Sequence, residues 1–334
     1  MLRIFHNTHF DFIRLRHWTY GLSALIIVPG LIWIAFSNFK YSIEFTGGTL
    51  MQVHFTQAPD VGTLRSTLDR AGIHGAEIQQ FGGPLEYVIR AQGAEQVAEQ
   101  SNGASAVAQE ITAALNQEYK AGSFNVVRSE AVGAKVSGEL QQKAGYAILI
   151  SFGITLLYLA FRFEWRFGVA AVIATAHDIL ATLAFIKYIH LEISLVVVGA
   201  ILTMIGYSLN DTIIIFDRVR EDLRQHRKES FYDTLNRAVN ETLPRSIMTH
   251  ATTLATLVAL VLLGGEVIRP FALVMVFGVF TGTFSSIYVA SPILLWIDGR
   301  WPHPTGGRGG VGRRASESKV ETGRARDTQT VATR

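Results

Sequence analysis

Long apolar blocks, separated by shorter polar segments, dominate the pattern of residues along this chain. Six blocks are long enough to cross a hydrocarbon core about 30 Å thick, which takes about 20 helical residues. They cover residues 18–36, 144–161, 167–186, 193–216, 247–263 and 271–297. The pattern therefore predicts a polytopic α-helical membrane protein with six transmembrane helices.

The largest polar segment, residues 38–143, lies between the first and second predicted spans. Its opening, YSIEFTGGTLMQVHF, alternates as a strand does, and the Gly47-Gly48 pair indicates a bulge or turn. Helical spacing follows at 60–69 and 104–119, while EIQQFGG, LEYVIRAQ and SFNVVRSEAVG have strand patterns. The order strand, helix, two strands, helix, strand is that of a ferredoxin-like α+β domain. Because the segment has no nucleophile motif and no ligand-spaced cluster, we interpret it as a binding or lever domain.

Lys and Arg lie mostly on one side of the predicted bundle. They cluster at the N-terminus and after the second and fourth spans, whereas Lys187 and Arg269 stand alone in the opposite short turns. Cytoplasmic segments carry the excess of Lys and Arg in membrane proteins. Both termini are therefore predicted to be cytoplasmic, and the ferredoxin-like domain periplasmic.

These features divide the chain into four parts. Residues 1–37 are predicted to form the cytoplasmic N-terminus and first helix, 38–143 the periplasmic domain, and 144–298 the other five helices, with a cytoplasmic amphipathic connection at 217–245. Residues 299–334 form a basic tail that cannot bury a core and is predicted to be disordered. A solvated tail is favoured over one that binds anionic lipid or ribosomal RNA. A retained first helix is favoured over a cleaved signal peptide, because its apolar segment is long for a signal.

Composition agrees with a membrane protein and excludes some chemistry. Of the 334 residues, 49% are hydrophobic and only 17% are charged, a balance too apolar for an ordinary soluble domain. Cysteine is absent. Disulfides, thiol catalysis and thiolate metal sites are therefore excluded.

One acidic residue, Asp211, stands inside the fourth apolar block, in ILTMIGYSLNDTIIIFDRVRE. On a helix, Asn210 shares a stripe with Gly206, Thr203 and Gly199, and Asp211 borders that stripe. Small and polar residues on one face allow close helix packing, so we expect Asp211 to face protein or water. An ionised carboxylate inside the membrane costs about 2.5–3.5 kcal/mol on insertion scales, which makes it a candidate functional residue.

Arg245 is the partner that the sequence favours for Asp211. Pro244 suits the first turn of a helix and Thr242 suits its cap, so Arg245 would begin the fifth span at its cytoplasmic end. Thr249, one turn later, would share the face of Arg245 and hydrogen-bond the carboxylate. Two interpretations stay open: a carboxylate that loads and releases a proton as the helices move, or a permanent ion pair that locks two helices.

Three more titratable residues lie inside predicted spans. The pair His177-Asp178 falls near the middle of the third span, where a proton relay and a hydrogen-bonded packing contact are both consistent with the sequence. His250, just inside the fifth span, is interpreted as a secondary relay or a structural residue. Gly278 and Gly282 form a GxxxG spacing, which predicts close packing of the sixth helix rather than chemistry.

Several stretches together resemble the SecF family of bacterial protein-export membrane proteins, within the resistance-nodulation-division superfamily. They are IEFTGGT, AFRFEWRFG, AHDI, IGYSLNDTIIIFDRVRE, TLPRSIMT and SSIYVASPI, in family order and spacing. The resemblance covers residues 10–298 and leaves out the basic tail. It implies a location in the bacterial cytoplasmic (inner) membrane and a six-helix bundle that needs no cofactor or metal.

The resemblance also implies partners and site residues. Members of the family pair with SecD and assist the SecYEG channel and the SecA ATPase, with YajC and YidC as further expected partners. They use the proton motive force to move unfolded preprotein, and no nucleic acid takes part. Asp211 and Arg245 match the family's proton-pathway positions, and Asn210 matches the neighbouring polar position. His250 departs from the small residue expected there.

Two rival functions are weighed against this one. An intramembrane aspartyl protease would use Asp178 and Asp211 as its two carboxylates. Gly-x-Gly-Asp is missing before both, however, and their predicted depths differ by about 9 Å at about 1.5 Å per residue. A small-molecule proton antiporter is disfavoured because one six-helix chain lacks a second half.

Overall fold

The structure is a computed structural model that describes residues 8–91, 103–120, 122–225 and 229–302. In chain order its elements are a 3₁₀ turn (Ile13–Leu15), α1 (Arg16–Phe36), α2 (Ile43–Thr46), β1 (Gly48–Phe55), α3 (Val61–Arg70), β2 (Glu77–Gln80), β3 (Glu86–Ala91), α4 (Gly103–Glu118), β4 (Phe124–Val132), α5 (Ala134–Arg162), α6 (Trp165–Tyr188), α7 (Leu195–Gln225), α8 (Phe231–Leu263), α9 (Gly265–Ser285), a π-helical turn (Ser286–Ala290) and α10 (Ser291–Arg300). The basic tail beyond residue 302 lies outside the described residues.

Six of the helical segments are long and apolar enough to cross a membrane. They are α1 with its preceding turn, α5, α6, α7, α8 and the continuous segment from α9 to α10. The prediction of a multi-pass α-helical membrane protein with six spans is confirmed. A helix suits this environment because it satisfies every backbone hydrogen bond within the segment.

The six spans are buried to very different extents. Only 6% of the best apolar window of α1 and of α5 is buried, against 56% for α7. Helix α7 and the α9–α10 segment, which is 61% buried, therefore form the centre of the bundle, and α7 packs against α6, α8 and α9. Helices α1 and α5 lie at the periphery of the bundle. They lead into and out of the outer domain, residues 38–143.

The expected start of the fifth span is wrong. Helix α8 begins at Phe231, so Pro244 lies inside the helix and Arg245 does not begin it. Thr242 is not a cap, because its hydroxyl donates to the carbonyl of Ala238 at 2.8 Å. Burial of residues such as Leu235, on the same helix before the proline, outweighs the helix-breaking tendency of proline.

The cytoplasmic connection predicted at 217–245 is accordingly not a separate element. Its residues extend α7 to Gln225 and α8 from Phe231, so two long helices meet in a hairpin. Asp222 is fully buried in this hairpin, with Arg237 Nε 3.1 Å and Arg218 Nη2 3.4 Å from its carboxylate. The pair with Arg237 joins the α7 and α8 ends, and the pair with Arg218 lies within α7.

The outer domain has the predicted ferredoxin-like arrangement. Its four strands lie in the order β2-β3-β1-β4, and all neighbouring strands are antiparallel. Helices α3 and α4 contribute to a separate apolar core with the sheet, which includes Met51, Val53, Phe55, Leu64, Leu68, Ile89, Ile111 and Leu115. Asp60 caps α3, because its carboxylate accepts from Thr63 N at 2.7 Å.

The first residues of this domain differ from the strand expected there. IEFT forms the short helix α2, and β1 begins only at Gly48. Gly47 ends α2 with a φ of 74°, and an added Cβ would lie 3.3 Å from Ser137 Oγ on α5. Glycine is needed at this position because the backbone is left-handed and α5 lies close.

Candidate functional site

Asp211 lies buried in the centre of the bundle, on the side of α7 that faces α8. Its Oδ2 is 3.3 Å from His250 Nε2, and Ser246 also hydrogen-bonds its carboxylate. Residues 246 and 250 share one face of α8 because they are four apart. The acid is thus held by a histidine and a serine rather than by a guanidinium.

The predicted contact between Asp211 and Arg245 is not formed. Arg245 is exposed, and within the described residues its side chain lies within 4.0 Å of no carboxylate. The physical reason is helix rotation, since one residue turns the side chain by about 100° and Ser246 already faces α7. The charge of Arg245 still acts on Asp211 from a distance.

The remaining predicted neighbours of Asp211 also point elsewhere. Thr249 is exposed and donates to the carbonyl of Arg245 at 2.9 Å. Contrary to the expectation, it does not reach the carboxylate of Asp211. Asn210 is exposed as well, on the open side of α7. His250 is instead central: its Nδ1 is 2.8 Å from Thr283 Oγ1 on α9. The histidine therefore joins α7, α8 and α9.

Arg245 faces a large cationic cavity where the C-terminal end of α7 meets the N-terminal half of α8. The cavity has a volume of about 830 Å³ and is lined by Arg162, Ile214, Asp217, Arg218, Arg220, Glu221, Arg224, Gln225, Glu241, Thr242 and Arg245. Arginines outnumber carboxylates among these residues. Ile214 lies about one helical turn beyond Asp211, so the cavity ends about one turn along α7 from the buried acid.

A second buried acid, Asp178 on α6, is fully hydrogen-bonded. Its carboxylate accepts from Ser208 on α7 and, at 2.7 Å, from Ser285 on α9, and His177 Nδ1 lies at 3.0 Å. His177 Nε2 lies 3.0 Å from Ser23 Oγ on α1. The network connects four helices around one carboxylate, which is the geometry of a packing centre; the sequence had left relay and packing open.

The four glycines assigned to packing fall into two groups. An added Cβ at Gly278 would lie 2.3 Å from Met204 Cγ, and one at Gly282 would lie 2.9 Å from Ser208 Cβ, so α9 approaches α7 closely there. At Gly199 and Gly206 an added Cβ would meet nothing within 4 Å. No helix within the described residues packs on these two glycines, so the packing expected of them stays a prediction.

Sequence reasoning missed the small hydroxyl residues that complete both centres. Ser246 hydrogen-bonds Asp211, Ser208 and Ser285 bond Asp178, and Thr283 bonds His250. The spacing of Ser246 and His250 was a usable signal, because residues four apart on a helix form one face. Across the described ranges, no group of three or more His, Cys, Asp or Glu side chains is placed to hold a metal ion.

Comparison with known proteins gives consistent matches. Residues 111–300 match the family described as protein export membrane protein SecD/SecF, C-terminal, and residues 32–59 match the SecD/SecF GG motif. The chain is 56% identical over 329 residues to a protein translocase subunit SecF from Gemmatimonas aurantiaca, covering 98% of both chains. It is 34% identical over 294 residues to the SecF of Escherichia coli O157:H7, covering 88% of this chain and 90% of that one.

Solved structures agree with these relatives. The crystal structure of SecDF, a translocon-associated membrane protein from Thermus thermophilus, matches with a TM-score of 0.77 at 34% identity and covers 88% of this chain. SecDF in a super-membrane-facing form matches with a TM-score of 0.64 at 32% identity and covers 94%. The present chain spans 39% and 40% of those two SecDF chains. The Gemmatimonas match, at 98% of the chain, also includes most of the basic tail that the motif resemblance left out. No comparison supports a protease or a small-molecule antiporter.

Proposed function

Because the chain belongs to the SecF family of protein-export membrane proteins, we propose that it works with SecD to drive the late stage of preprotein export. The energy source is the proton motive force. The chain acts as a translocation factor and not as an enzyme, so no bond in the polypeptide is made or broken. The channel and motor that it assists are SecYEG and SecA, with YajC and YidC as accessory partners.

The observation that carries this proposal is the buried contact between Asp211 and His250. Two titratable side chains lie 3.3 Å apart at the centre of a membrane bundle, on the two helices that form the cytoplasmic hairpin. Ionisable residues inside a membrane are costly, and those that occur usually serve ion or proton movement. A proton taken up here changes the attraction between α7 and α8.

Arg245 and the cationic cavity complete the pathway. The cavity supplies water close to Asp211, and Arg245, which has no carboxylate partner within the described residues, supplies a mobile positive charge. Movement of that guanidinium toward the ionised acid, and away from the protonated one, would couple proton release to helix movement. Thr249, exposed one turn after Arg245 on α8, would exchange hydrogen bonds with water on this route.

The energy available is sufficient for such a step. A membrane potential supplies about 2.3 kcal/mol per charge per 100 mV. Ordinary allosteric couplings amount to about 1–3 kcal/mol. One proton per transition therefore biases a two-state bundle by a useful amount.

The open face of α7 supports pairing with SecD. Gly199, Thr203, Gly206 and Asn210 lie along this face, and an added Cβ at either glycine would meet nothing within 4 Å in the part of the chain that the structure describes. Small residues at four-residue spacing allow another helix to approach closely in a membrane. The SecDF neighbours are longer than this chain, and their name combines SecD with SecF. We assign this face to a SecD helix.

The proposed orientation in the membrane rests on where the positive charges lie. Both termini, the α7–α8 hairpin and the arginine cavity lie on the cytoplasmic side, where positive charge is favoured. Residues 38–143 are then periplasmic, where the outer domain would hold the emerging unfolded chain and prevent backsliding. The basic tail from residue 299 stays in the cytoplasm.

Replacement of Asp211 with asparagine tests the proposal. Asp211→Asn keeps the shape of the side chain but removes its titration, so potential-driven export should be abolished while membrane insertion and copurification with SecD persist. Asp69→Asn is the matched control, because it makes the same substitution at an exposed carboxylate on α3, outside the cavity and the bundle. Export would be measured in proteoliposomes with an imposed proton gradient. Full export by Asp211→Asn would refute a proton-carrying role for this acid.

A further inference from the structure

The turn between α6 and α7, residues 189–194, is hydrogen-bonded to residues 40–42, which form the root of the outer domain. Ser42 N donates to the carbonyl of Ile193 at 3.0 Å, and Ile193 N donates to the carbonyl of Lys40 at 2.8 Å. The two segments form a short parallel β-bridge. The domain is thus attached to the start of α7, and not only to the peripheral helices α1 and α5 that continue its chain.

Glu44 adds a direct contact with α7. Its Oε2 accepts from Leu195 N at 2.6 Å and from Ser42 Oγ at 3.0 Å. Leu195 is the first residue of α7, where free backbone N–H groups and the helix dipole attract negative charge. Glu44 lies on α2, which leads through Gly47 into β1 of the sheet. A carboxylate of the outer domain therefore caps the helix that carries Asp211.

A second contact joins the same turn to the sheet itself. Arg90 Nη2 on β3 lies 2.5 Å from Glu192 Oε2 in the turn. Among the described residues, Arg90 Nε and Glu192 Oε1 are buried and have no hydrogen-bond partner. Burial raises the pKa of Glu192 above its usual value, while the charge of Arg90 opposes that rise. Desolvation thus offsets much of the attraction, and such a pair fixes position more than it adds stability.

These contacts lie on the direct path from the buried acid to the outer domain. Leu195 is about 24 Å from Asp211 along α7, at about 1.5 Å per residue. An α-helix packed on three sides moves as a unit, so a displacement near Asp211 reaches its capped end. Helices α1 and α5 carry neither Asp211 nor His250.

We infer that Glu44, Arg90 and Glu192 are positioning residues that transmit displacement of α7 to the outer domain. The inference rests on the proposed proton-driven function and identifies the route by which it reaches the periplasmic side. The outer domain is attached to α7 at two places: at its root through Glu44, and at its sheet through Arg90 and Glu192. Loss of one of these contacts should uncouple the domain from the protonation of Asp211 without unfolding either part.

The test measures domain position directly. The sequence contains no cysteine, so Ser66→Cys on α3 and Glu266→Cys at the start of α9 give two unique spin-label sites on the same side of the membrane. The distance between the labels is measured by pulsed electron paramagnetic resonance in the full chain, reconstituted with SecD. Asp211 and Asp211→Asn represent the ionised and protonated states.

Four variants of the labelled chain distinguish a loss of coupling from a loss of folding. Glu44→Ala removes the cap, Arg90→Glu breaks the pair with Glu192, and the exchange of Arg90→Glu with Glu192→Arg restores it. Arg70→Glu is the control, because Arg70 pairs with Glu118 at 2.6 Å wholly within the outer domain. Melting temperatures of all variants show that each is folded.

We expect the distance between the two labels to change when Asp211→Asn is introduced into the parent chain. The same change is expected in the Arg70→Glu control. The shift should be lost in Glu44→Ala and in Arg90→Glu and regained in the charge exchange. Potential-driven export should fall about fivefold or more in Arg90→Glu, the lower end of ordinary couplings, and recover with the exchange. A shift that persists in Glu44→Ala and Arg90→Glu would overturn the inference and leave the proposed function standing. A parent in which Asp211→Asn moves nothing would overturn proton-driven movement itself.

Discussion

Replacing Gly282 with alanine is expected to force α7 and α9 apart. The new Cβ would lie 2.9 Å from Ser208 Cβ and 3.0 Å from Ser208 Cα. Neither atom can rotate away, because both belong to the rigid part of the neighbouring helix. Separation would also lengthen the hydrogen bonds that Ser208 and Ser285 donate to Asp178.

The magnitude follows from three terms. Over-packing a core costs about 1–3 kcal/mol. Weakening a hydrogen bond to a charged group costs about 1.5–3 kcal/mol, while the better helix propensity of alanine returns about 1 kcal/mol. The free energy of unfolding should therefore fall by about 1.5–5 kcal/mol for Gly282→Ala.

Reversible unfolding of the purified chain in detergent measures this change, and Gly206→Ala is the matched control. An added Cβ at Gly206 meets nothing within 4 Å, so that variant should be neutral or more stable by up to about 1 kcal/mol. Gly278→Ala should fall between the two, since its nearest contact is the flexible side chain of Met204. Equal unfolding free energies for Gly282→Ala and Gly206→Ala would refute the assignment of the α7–α9 contact.

Three further predictions concern the outer domain and the helix ends beside it. Lys187→Met removes an amine that donates to Ser37 Oγ at 2.6 Å and to the carbonyls of Ser37 and Asn38 at 3.0 and 2.7 Å, and should lower the unfolding free energy by about 2–3 kcal/mol, as measured in denaturant titrations. Thr63 N–H holds the pKa of Asp60 below its usual value, so Asp60→Ala should lower the melting temperature at neutral pH, with a difference that disappears as the pH falls through that lowered pKa; a constant difference would contradict this. Burial raises the pKa of Glu192, so the contribution of Glu192 is fully present below the usual glutamate pKa and is lost as the pH rises through the raised value. Glu192→Gln should therefore gain melting temperature relative to the parent across that window, and the reverse trend would contradict the sign.

The sequence alone determined the membrane class and the outer domain. Apolar blocks of membrane-spanning length leave few alternatives, because a backbone in lipid must satisfy its own hydrogen bonds and does so as a helix. The strand and helix order of the outer domain was equally readable, since periods of 2 and 3.6 residues reflect burial on one face. Asp211 stood out for the same reason: a carboxylate in an apolar block has a cost that needs an explanation.

Only the tertiary structure decided which side chains meet. Asp211 could contact either Arg245 or the pair Ser246 and His250, and about 100° of helix rotation separates the two arrangements. The neighbouring helices set that rotation, and the local sequence does not. The continuation of α8 through Pro244, and the open face at Gly199 and Gly206, likewise depend on what packs beside each helix. Periodicity reports that a residue is buried, whereas the identity of its neighbour is a property of the assembled bundle.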